Sequence, residues 1–374
     1  MKILFYTNNI NPTFGGSVFS LQLLVKELID LGVDVKVIVN RHHEKEVELG
    51  VPVIALNAKF GDLQRPFLLK KIVAKETPDV IFATMRPMMI SLGIAHLFSP
   101  GSNTKFAGIE RMADHGLLYL GKLKYIPKRF FVKLTYGLLD HIVAISEFVK
   151  RDLHETYWLP FDKLSVVYNA VDLESIREKA KKALPKEDEA LFKNKKVMLN
   201  IGRLTEQKAQ YHLINILSLL KDKCPNLDLV ILGEGKLKES LLKQAKQCGV
   251  EGRVHLLGQR DNPFPYIGNA KLFALTSVHE AFGRVVLESM AIATPVVAFD
   301  ARGGHVELLA DGAGTIVSKE NEKEFSEAVL KVLEDNEKRT KIVEAAYNKS
   351  NSFSARAHAE AYINCVRKLV KNET

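Results

Sequence analysis

Residues 2–7, Lys-Ile-Leu-Phe-Tyr-Thr, form a short apolar run that predicts a buried strand. A polar Asn/Pro/Gly segment separates it from Ser17–Leu31, where apolar residues recur at helical spacing until Gly32. The same order then repeats. Val35–Val39, Val53–Ala55 and Asp79–Ala83 read as further strands, the last one following the turn signal Thr77-Pro78. Asp140–Ile145 predicts another, opening into Ser146 as N-cap of a helix that begins near Glu147, and Ser165–Tyr168 closes this half. A polar, charge-dense run from Glu174 to Lys196, broken at Pro185, interrupts the pattern. Alternation resumes with Val197–Ile201, Asp228–Leu232, Val254–Leu256, Leu272–Leu275 and Pro295–Ala298, and the last long helix is expected over Ala355–Val370.

Short apolar strands alternating with helices predict mostly parallel sheets covered on both faces, so the expected fold class is α/β with two Rossmann-like domains. The expected boundaries are 1–172 for the N-terminal domain, 173–196 for a partly helical interdomain connection and 197–353 for the C-terminal domain. Residues 354–374 would be a terminal helix reaching back toward the first domain. Such sheets bind ligands at the carboxyl ends of their strands, which places the expected chemistry in a cleft between facing domains.

The bulk composition agrees with this division. A chain of 374 residues, 47% hydrophobic and 26% charged, has the balance of a globular protein with material for about two cores. Three cysteines, Cys224, Cys248 and Cys365, lie far apart and form neither a disulfide framework nor a zinc pattern, which fits a reducing compartment. No signal-like h-region and no stretch of ~18–20 apolar residues is present, so the expected location is cytoplasmic.

The net charge of +9 would attract nucleotides, nucleic acid or anionic lipid. No recognised nucleic-acid module or Gly/Arg-rich tract supports the second of these. Within residues 122–133, Lys122, Lys124, Lys128, Arg129 and Lys133 occur without an acid and interleave with Tyr125, Ile126, Phe130 and Phe131. One reading is an anionic membrane surface met by rings and cations, on the inner membrane face; the other is a solvated helix with its rings in the core.

The segment His279-Glu280-Ala281-Phe282-Gly283-Arg284-Val285-Val286-Leu287-Glu288-Ser289-Met290-Ala291 follows a strand and opens a helix. Glu280 in the loop and Glu288 in the helix could both face a ligand, with the Phe282 and Gly283 amides pointing the same way. An ionised Glu288 suits a vicinal diol such as that of ribose. The alternative is an i,i+4 pair between Arg284 and Glu288, worth ~0.2–0.5 kcal/mol if exposed. Upstream, Gly202-Arg203-Leu204-Thr205-Glu206-Gln207-Lys208 ends a strand and carries two cations five residues apart, which suits a diphosphate; two solvated loop cations are the alternative.

Taken together, Gly202-Arg203…Lys208, Leu232-Gly233-Glu234-Gly235, the two glutamates with Glu288-Ser289-Met290-Ala291, and Thr294-Pro295-Val296-Val297-Ala298 closely resemble the retaining glycosyltransferases of family 4, whose fold is called GT-B. Asn169-Ala170-Val171-Asp172 resembles that family's interdomain Asn-Gly-Val-Asp signature, and Thr13-Phe14-Gly15-Gly16 its N-terminal glycine loop. Ala170 and Ala293 replace family glycines and put only local backbone shape in doubt.

The resemblance implies an acceptor-side first domain and a donor-side second domain. It implies that Arg203 and Lys208 bind the donor diphosphate and that Glu288 binds the ribose hydroxyls. Glu280 with the Phe282 and Gly283 amides would hold the sugar, and Gly15 and Gly16 would admit close backbone approach. Gln259-Arg260 would lie in the loop whose backbone meets the base. His115, in Asp114-His115-Gly116, resembles the histidine near the reacting sugar, with Asp114 as its rival for that position and a surface or packed histidine as the plain alternative.

The implied reaction is transfer of a sugar from a nucleoside-diphosphate sugar, a UDP-sugar before a GDP-sugar, to a saccharide or lipid-linked acceptor in cell-surface polysaccharide or lipopolysaccharide synthesis. Retention of configuration is implied. No cofactor and no metal are expected, since there is no Asp-x-Asp at a strand end and no histidine pair at metal spacing, and side chains and helix ends would carry the diphosphate charge. The rival functions are a sugar-nucleotide epimerase or hydrolase on the same fold and, from another class, a basic nucleic-acid-binding protein.

Overall fold

The computed structural model describes residues 1–11, 16–43, 46–59, 61–114 and 126–371, without the side chains of Ser17, Ile126 and Lys128. The chain divides into two compact units, one of Met1–Ala170 with Ala355–Thr374 and one of Val171–Ser354.

The first unit holds β1 (Lys2–Thr7), β2 (Asp34–Val39), β3 (Val53–Ala55), β4 (Val80–Ala83), β5 (Lys105–Glu110), β6 (His141–Ala144) and β7 (Leu164–Val166). They form one sheet in the order β3-β2-β1-β4-β5-β6-β7, and every pairing is parallel. Strands β4 and β6 are buried along their whole length, as strands covered on both faces must be. The chain leaves β1 in one direction and returns at β4 in the other, so the strand order reverses between them. In open α/β sheets that reversal opens a crevice at the carboxyl edge.

Two helices of this unit show how sequence fixes their ends. Ser146 is extended, and its Oγ accepts the Val149 amide at 3.1 Å, capping the helix Glu147–Tyr157. The final helix, Ala355–Lys371, buries His358, Ala359, Tyr362, Ile363 and Val366 at helical spacing. Its Tyr362 ring stands edge-on to Phe82 at 5.4 Å and to Phe5 at 6.3 Å, so the end of the chain covers the central strands β1 and β4.

The second unit holds β8 (Lys196–Ile201), β9 (Leu227–Leu232), β10 (Val254–Gly258), β11 (Leu272–Leu275), β12 (Val296–Phe299) and β13 (Thr315–Val317). Their order is β10-β9-β8-β11-β12-β13, again all parallel, with the reversal between β8 and β11. Leu213, Ile214 and Leu217 of the helix Tyr211–Leu219 pack with Leu229, Ile231, Phe299 and Phe325 in its core. Residues 173–196 belong to this unit, as helices Leu173–Ala180 and Lys186–Asn194.

Two strands have no counterpart in the hydrophobic pattern. Strand β5 reads Lys-Phe-Ala-Gly-Ile-Glu, with charges at both ends and a glycine inside, and β13 is three residues long. Gly108 of β5 is needed for packing: a Cβ there would lie 2.3 Å from Met89 Cε. Among the described residues no helix is long and apolar enough to cross a membrane.

Candidate active site

At the carboxyl edge of the second sheet three loops lie backbone against backbone. The Gly202 amide donates to Leu232 O at 2.9 Å, Gly233 to Gly258 O at 2.8 Å, and Leu204 to Glu234 O at 2.9 Å, extending the ladder beyond the strands. Glycine makes this possible. A Cβ on Gly233, whose φ is +144°, would lie 2.1 Å from Gly202 O, and one on Gly235 would lie 2.3 Å from Leu204 O.

Arg203 leaves this layer exposed, while its carbonyl accepts Gln210 Nε2 at 3.1 Å. Lys208 runs back along Gly202, where an added Cβ would meet its Cε at 3.3 Å, and its Nζ pairs with Glu280 Oε1. Ser277 Oγ donates to the same carboxylate oxygen at 2.7 Å. The Glu280 carbonyl is tied to the Gly304 amide at 3.0 Å, and a Cβ on Gly303 would lie 2.3 Å from that carbonyl. The loop that carries Glu280 is therefore clamped from two sides.

Gly283 takes φ +90° as N-cap of the helix Arg284–Ala291, and His305 lies where its Cβ would be, at 2.7 Å. Glu288 on that helix is 7% exposed, and Arg284 Nε donates to its Oε1 at 2.9 Å. Burial raises the Glu288 pKa from its ordinary value, and Arg284 opposes the shift. The i,i+4 pair thus forms, but around a desolvated carboxylate, unlike the exposed pair that the spacing alone suggests. Phe282 is buried with its ring 6.2 Å from that of Phe353.

The second unit brings Arg203, Lys208, Glu280, Phe282, Gly283 and Glu288 to loops and helix starts beyond its strands. Gln259 follows β10 and is exposed. Arg260 turns its side chain to Tyr266 Oη at 2.9 Å and to Asp188 Oδ2 at 3.0 Å, so it fastens the helix Lys186–Asn194 and only its backbone remains on offer. Tyr266, which also donates to Asp188 at 2.6 Å, is pushed up to about 12 by burial and by that bond.

In the first unit Gly16 opens the helix Gly16–Asp30, whereas Gly15 and His115 lie outside the described residues, as do Lys122, Lys124 and Tyr125. Asp114 is buried, and its Oδ2 accepts Arg86 Nη1 and the Tyr157 hydroxyl. Arg86 Nε also donates to Glu110 Oε2 at 2.9 Å, and Tyr136 Oη donates to that oxygen at 2.7 Å. Burial works against the Arg86 charge, but Glu110 outweighs it with help from Tyr136, Tyr157 and Asp114, and the guanidinium is held more firmly protonated than usual. This buried network was not legible in the sequence, because its members are scattered from residue 86 to residue 157.

On the helix Ile126–Gly137, Phe130 and Phe131 are 65% and 51% exposed, so their rings are not in the core. Leu134 is 59% exposed, and Arg129 lies 3.6 Å from the centre of the exposed Trp158 ring.

An edge that offers an exposed guanidinium, an ammonium and glycine backbone suits a ligand with several anionic oxygens, and a buried carboxylate beside it suits neutral hydroxyls. Two parallel-sheet Rossmann-like units with such an edge define the GT-B class. The solved structure of Anabaena HepE in complex with UDP has the same fold, with TM-score 0.79 and 21% identity over 98% of this chain and 100% of that one. The family described as Glycosyl transferases group 1 matches residues 182–349, and that described as Glycosyltransferase Family 4 matches residues 14–175.

Among curated proteins, the N-acetylgalactosamine-N,N'-diacetylbacillosaminyl-diphospho-undecaprenol 4-alpha-N-acetylgalactosaminyltransferase of Campylobacter jejuni is 32% identical over 297 residues, 78% of each chain. The lipopolysaccharide core biosynthesis glycosyltransferase LpsE of Rhizobium meliloti is 32% identical over 168 residues, 45% of this chain and 48% of its own. This chain belongs to the group 1, family 4 glycosyltransferases.

Proposed function

We propose that the protein transfers a sugar, with retention of configuration and without a metal, from a UDP-sugar to a saccharide carried on a lipid diphosphate. The observation that carries this reading is the second sheet's edge, where Arg203 and Lys208 flank glycine backbone and the clamped Glu280 loop precedes the buried Glu288. The UDP in HepE supports the choice of nucleotide, and the diphospho-undecaprenol acceptor in the name of the Campylobacter transferase supports the choice of acceptor.

In this reading Arg203 and Lys208 hold the diphosphate and stabilise the charge that grows on it as the glycosidic bond breaks, so they act more strongly in the transition state than before it. Their two positive charges meet the need that a divalent cation meets elsewhere. Lys208 leaves Glu280 for the phosphate, which frees the Glu280 carboxylate to accept hydroxyls of the sugar. Glu288 accepts the ribose diol. The leaving phosphate oxygen takes the proton of the attacking hydroxyl on the same face, which retains the anomeric configuration. The commitment of Asp114 to Arg86 and Tyr157 supports His115 as the group offered to the reacting sugar.

Calorimetry with UDP and GDP, with and without magnesium, tests the donor site. Metal-independent binding of UDP by the wild type, lost in Arg203→Ala and in Glu288→Ala, is expected; normal binding by both variants would remove the assignment. An inverted anomer in the product would remove retention. The exposed Phe130 and Phe131 beside Arg129 and Lys133 support docking on the inner face of an anionic membrane. Equal flotation of wild type and Phe130→Ser with anionic vesicles would discard that part.

A further inference from the structure

Arg111 follows β5, between β4 and β6, at the carboxyl edge of the first sheet. Its Nη1 donates to Ser20 Oγ at 3.3 Å and to Asn169 Oδ1 at 3.2 Å, both neutral. Its Nε is buried and makes no hydrogen bond among the described residues. The carboxylates near it in the chain are engaged elsewhere. Glu110 takes Arg86 and Tyr136 on Oε2, and the Arg111 and Met112 amides on Oε1 at 3.0 and 2.9 Å. Asp114 takes Arg86 and Tyr157, while Asp152 takes the Asp114 amide at 2.8 Å and the Thr156 hydroxyl at 3.0 Å. Of the residues outside the described ones, 12–15, 60 and 115–125 contain no aspartate or glutamate, and Glu44 and Glu373 are the side-chain carboxylates among the rest.

His358 belongs to the same cluster. Its Nδ1 donates to Tyr168 O at 2.6 Å, which leaves Nε2 as a buried lone pair without a partner among the described residues. Burial, reinforced by the Arg111 charge, lowers this ring to about 4, so it is neutral near pH 7 and supplies no counter-charge. Tyr362 is also held un-ionised, by burial. Burial alone works against the Arg111 charge, and Tyr362 offsets it only in part. A desolvated guanidinium whose hydrogen-bond partners among the described residues are all neutral is half of an ion pair.

We propose that Arg111, with the Ser20 hydroxyl and the Asn169 side-chain amide, forms an oxyanion subsite of the first unit that holds a phosphate group of the saccharide acceptor. Phosphate fits because a guanidinium presents N–H donors in a planar fork that matches two of its oxygens, while the hydroxyl and the amide add donors beside them. The naming of the ligand as acceptor rests on the transferase reading; the anion subsite does not.

The full chain labelled with 15N-histidine and saturated with UDP, so that the donor-side cations are occupied, is titrated with inorganic pyrophosphate. The His358 ring is followed by NMR, its signals identified by their absence from His358→Gln. The expected result is a saturable shift whose affinity falls at least about tenfold in Arg111→Gln and is partly kept in Arg111→Lys. No shift in the wild type overturns the proposal whether or not the variants fold, and so does equal affinity in a folded Arg111→Gln.

Competition against pyrophosphate separates the sources. Displacement by a saccharide linked to farnesyl diphosphate supports a lipid-borne phosphate, and equal displacement by the saccharide 1-phosphate supports a soluble one. Displacement by neither overturns the acceptor assignment. If UDP does not bind at the outset, the transferase reading has failed instead, and the same pyrophosphate titration on an Arg203→Ala, Lys208→Ala double variant decides the subsite by the same shift.

Discussion

At the carboxyl edge of the first sheet Arg86 is enclosed by Glu110, Asp114 and two tyrosines, whereas at the corresponding edge of the second sheet Arg203 stands exposed and Lys208, lying along Gly202, pairs directly with Glu280. The residue types are alike; the difference lies in what surrounds them. The first edge fills its interior with charges that neutralise one another around a single guanidinium, although Arg86 Nη2 makes no hydrogen bond among the described residues. The second edge removes side chains from its backbone layer and leaves cations at its rim, where the proposed donor would meet them. Arg111 combines the two conditions, largely enclosed like Arg86 and, among the described residues, lacking a carboxylate partner like Arg203.

The comparison breaks most sharply at Arg86. Arg86→Met leaves two buried carboxylates without their cation and is expected to cost about 3–5 kcal/mol in urea denaturation, while UDP affinity in the protein that remains folded changes little. A loss of under about 1 kcal/mol would mean that the network is no more than a surface pair. Gly233→Ala comes next. The new methyl meets Gly202 O in a backbone conformation that suits glycine, so a loss of about 2–4 kcal/mol together with loss of UDP binding is expected by denaturation and calorimetry. Retained binding would show that the glycine layer is not the ligand's floor.

The smallest effect concerns Glu288. Its folded-state pKa is raised, so its contribution to stability is fully present below the unfolded carboxylate pKa and is lost as pH rises through the folded value. Glu288→Gln does not titrate there. The wild type should therefore lose up to about 1 kcal/mol relative to this variant between the acid side of the carboxylate range and neutrality. Urea midpoints for the two proteins that run parallel with pH would mean that the carboxylate is not desolvated.

The strands were legible where their residues were apolar on both faces, as in β1, β2, β4, β8, β9 and β11. Strand β5 was not, because Lys105, Gly108 and Glu110 interrupt the run, although the sheet around it buries Glu110 almost completely. The candidate donor edge was legible because its glycines, cations and glutamates occur in short segments at strand ends. Arg260 shows the limit: sequence places it in the right loop, but only the packing of Lys186–Asn194 reveals that its guanidinium holds Asp188. Arg111 gave no signal beyond its place next to Glu110, since being a cation without a carboxylate partner among the described residues is a property of its surroundings.

By itself the sequence determined two parallel α/β units and the loops that carry Arg203, Lys208, Glu280 and Glu288, because periodicity and glycine placement act over a few residues and are written there. It also carried the family resemblance. Only the tertiary structure decided which charges are neutralised: that Arg86 takes both Glu110 and Asp114, that Glu288 is desolvated beside Arg284, and that the Arg111 guanidinium has no carboxylate partner among the described residues. Coulomb energies and burial depend on distances between residues far apart in the chain, and those distances exist only once the sheets have formed.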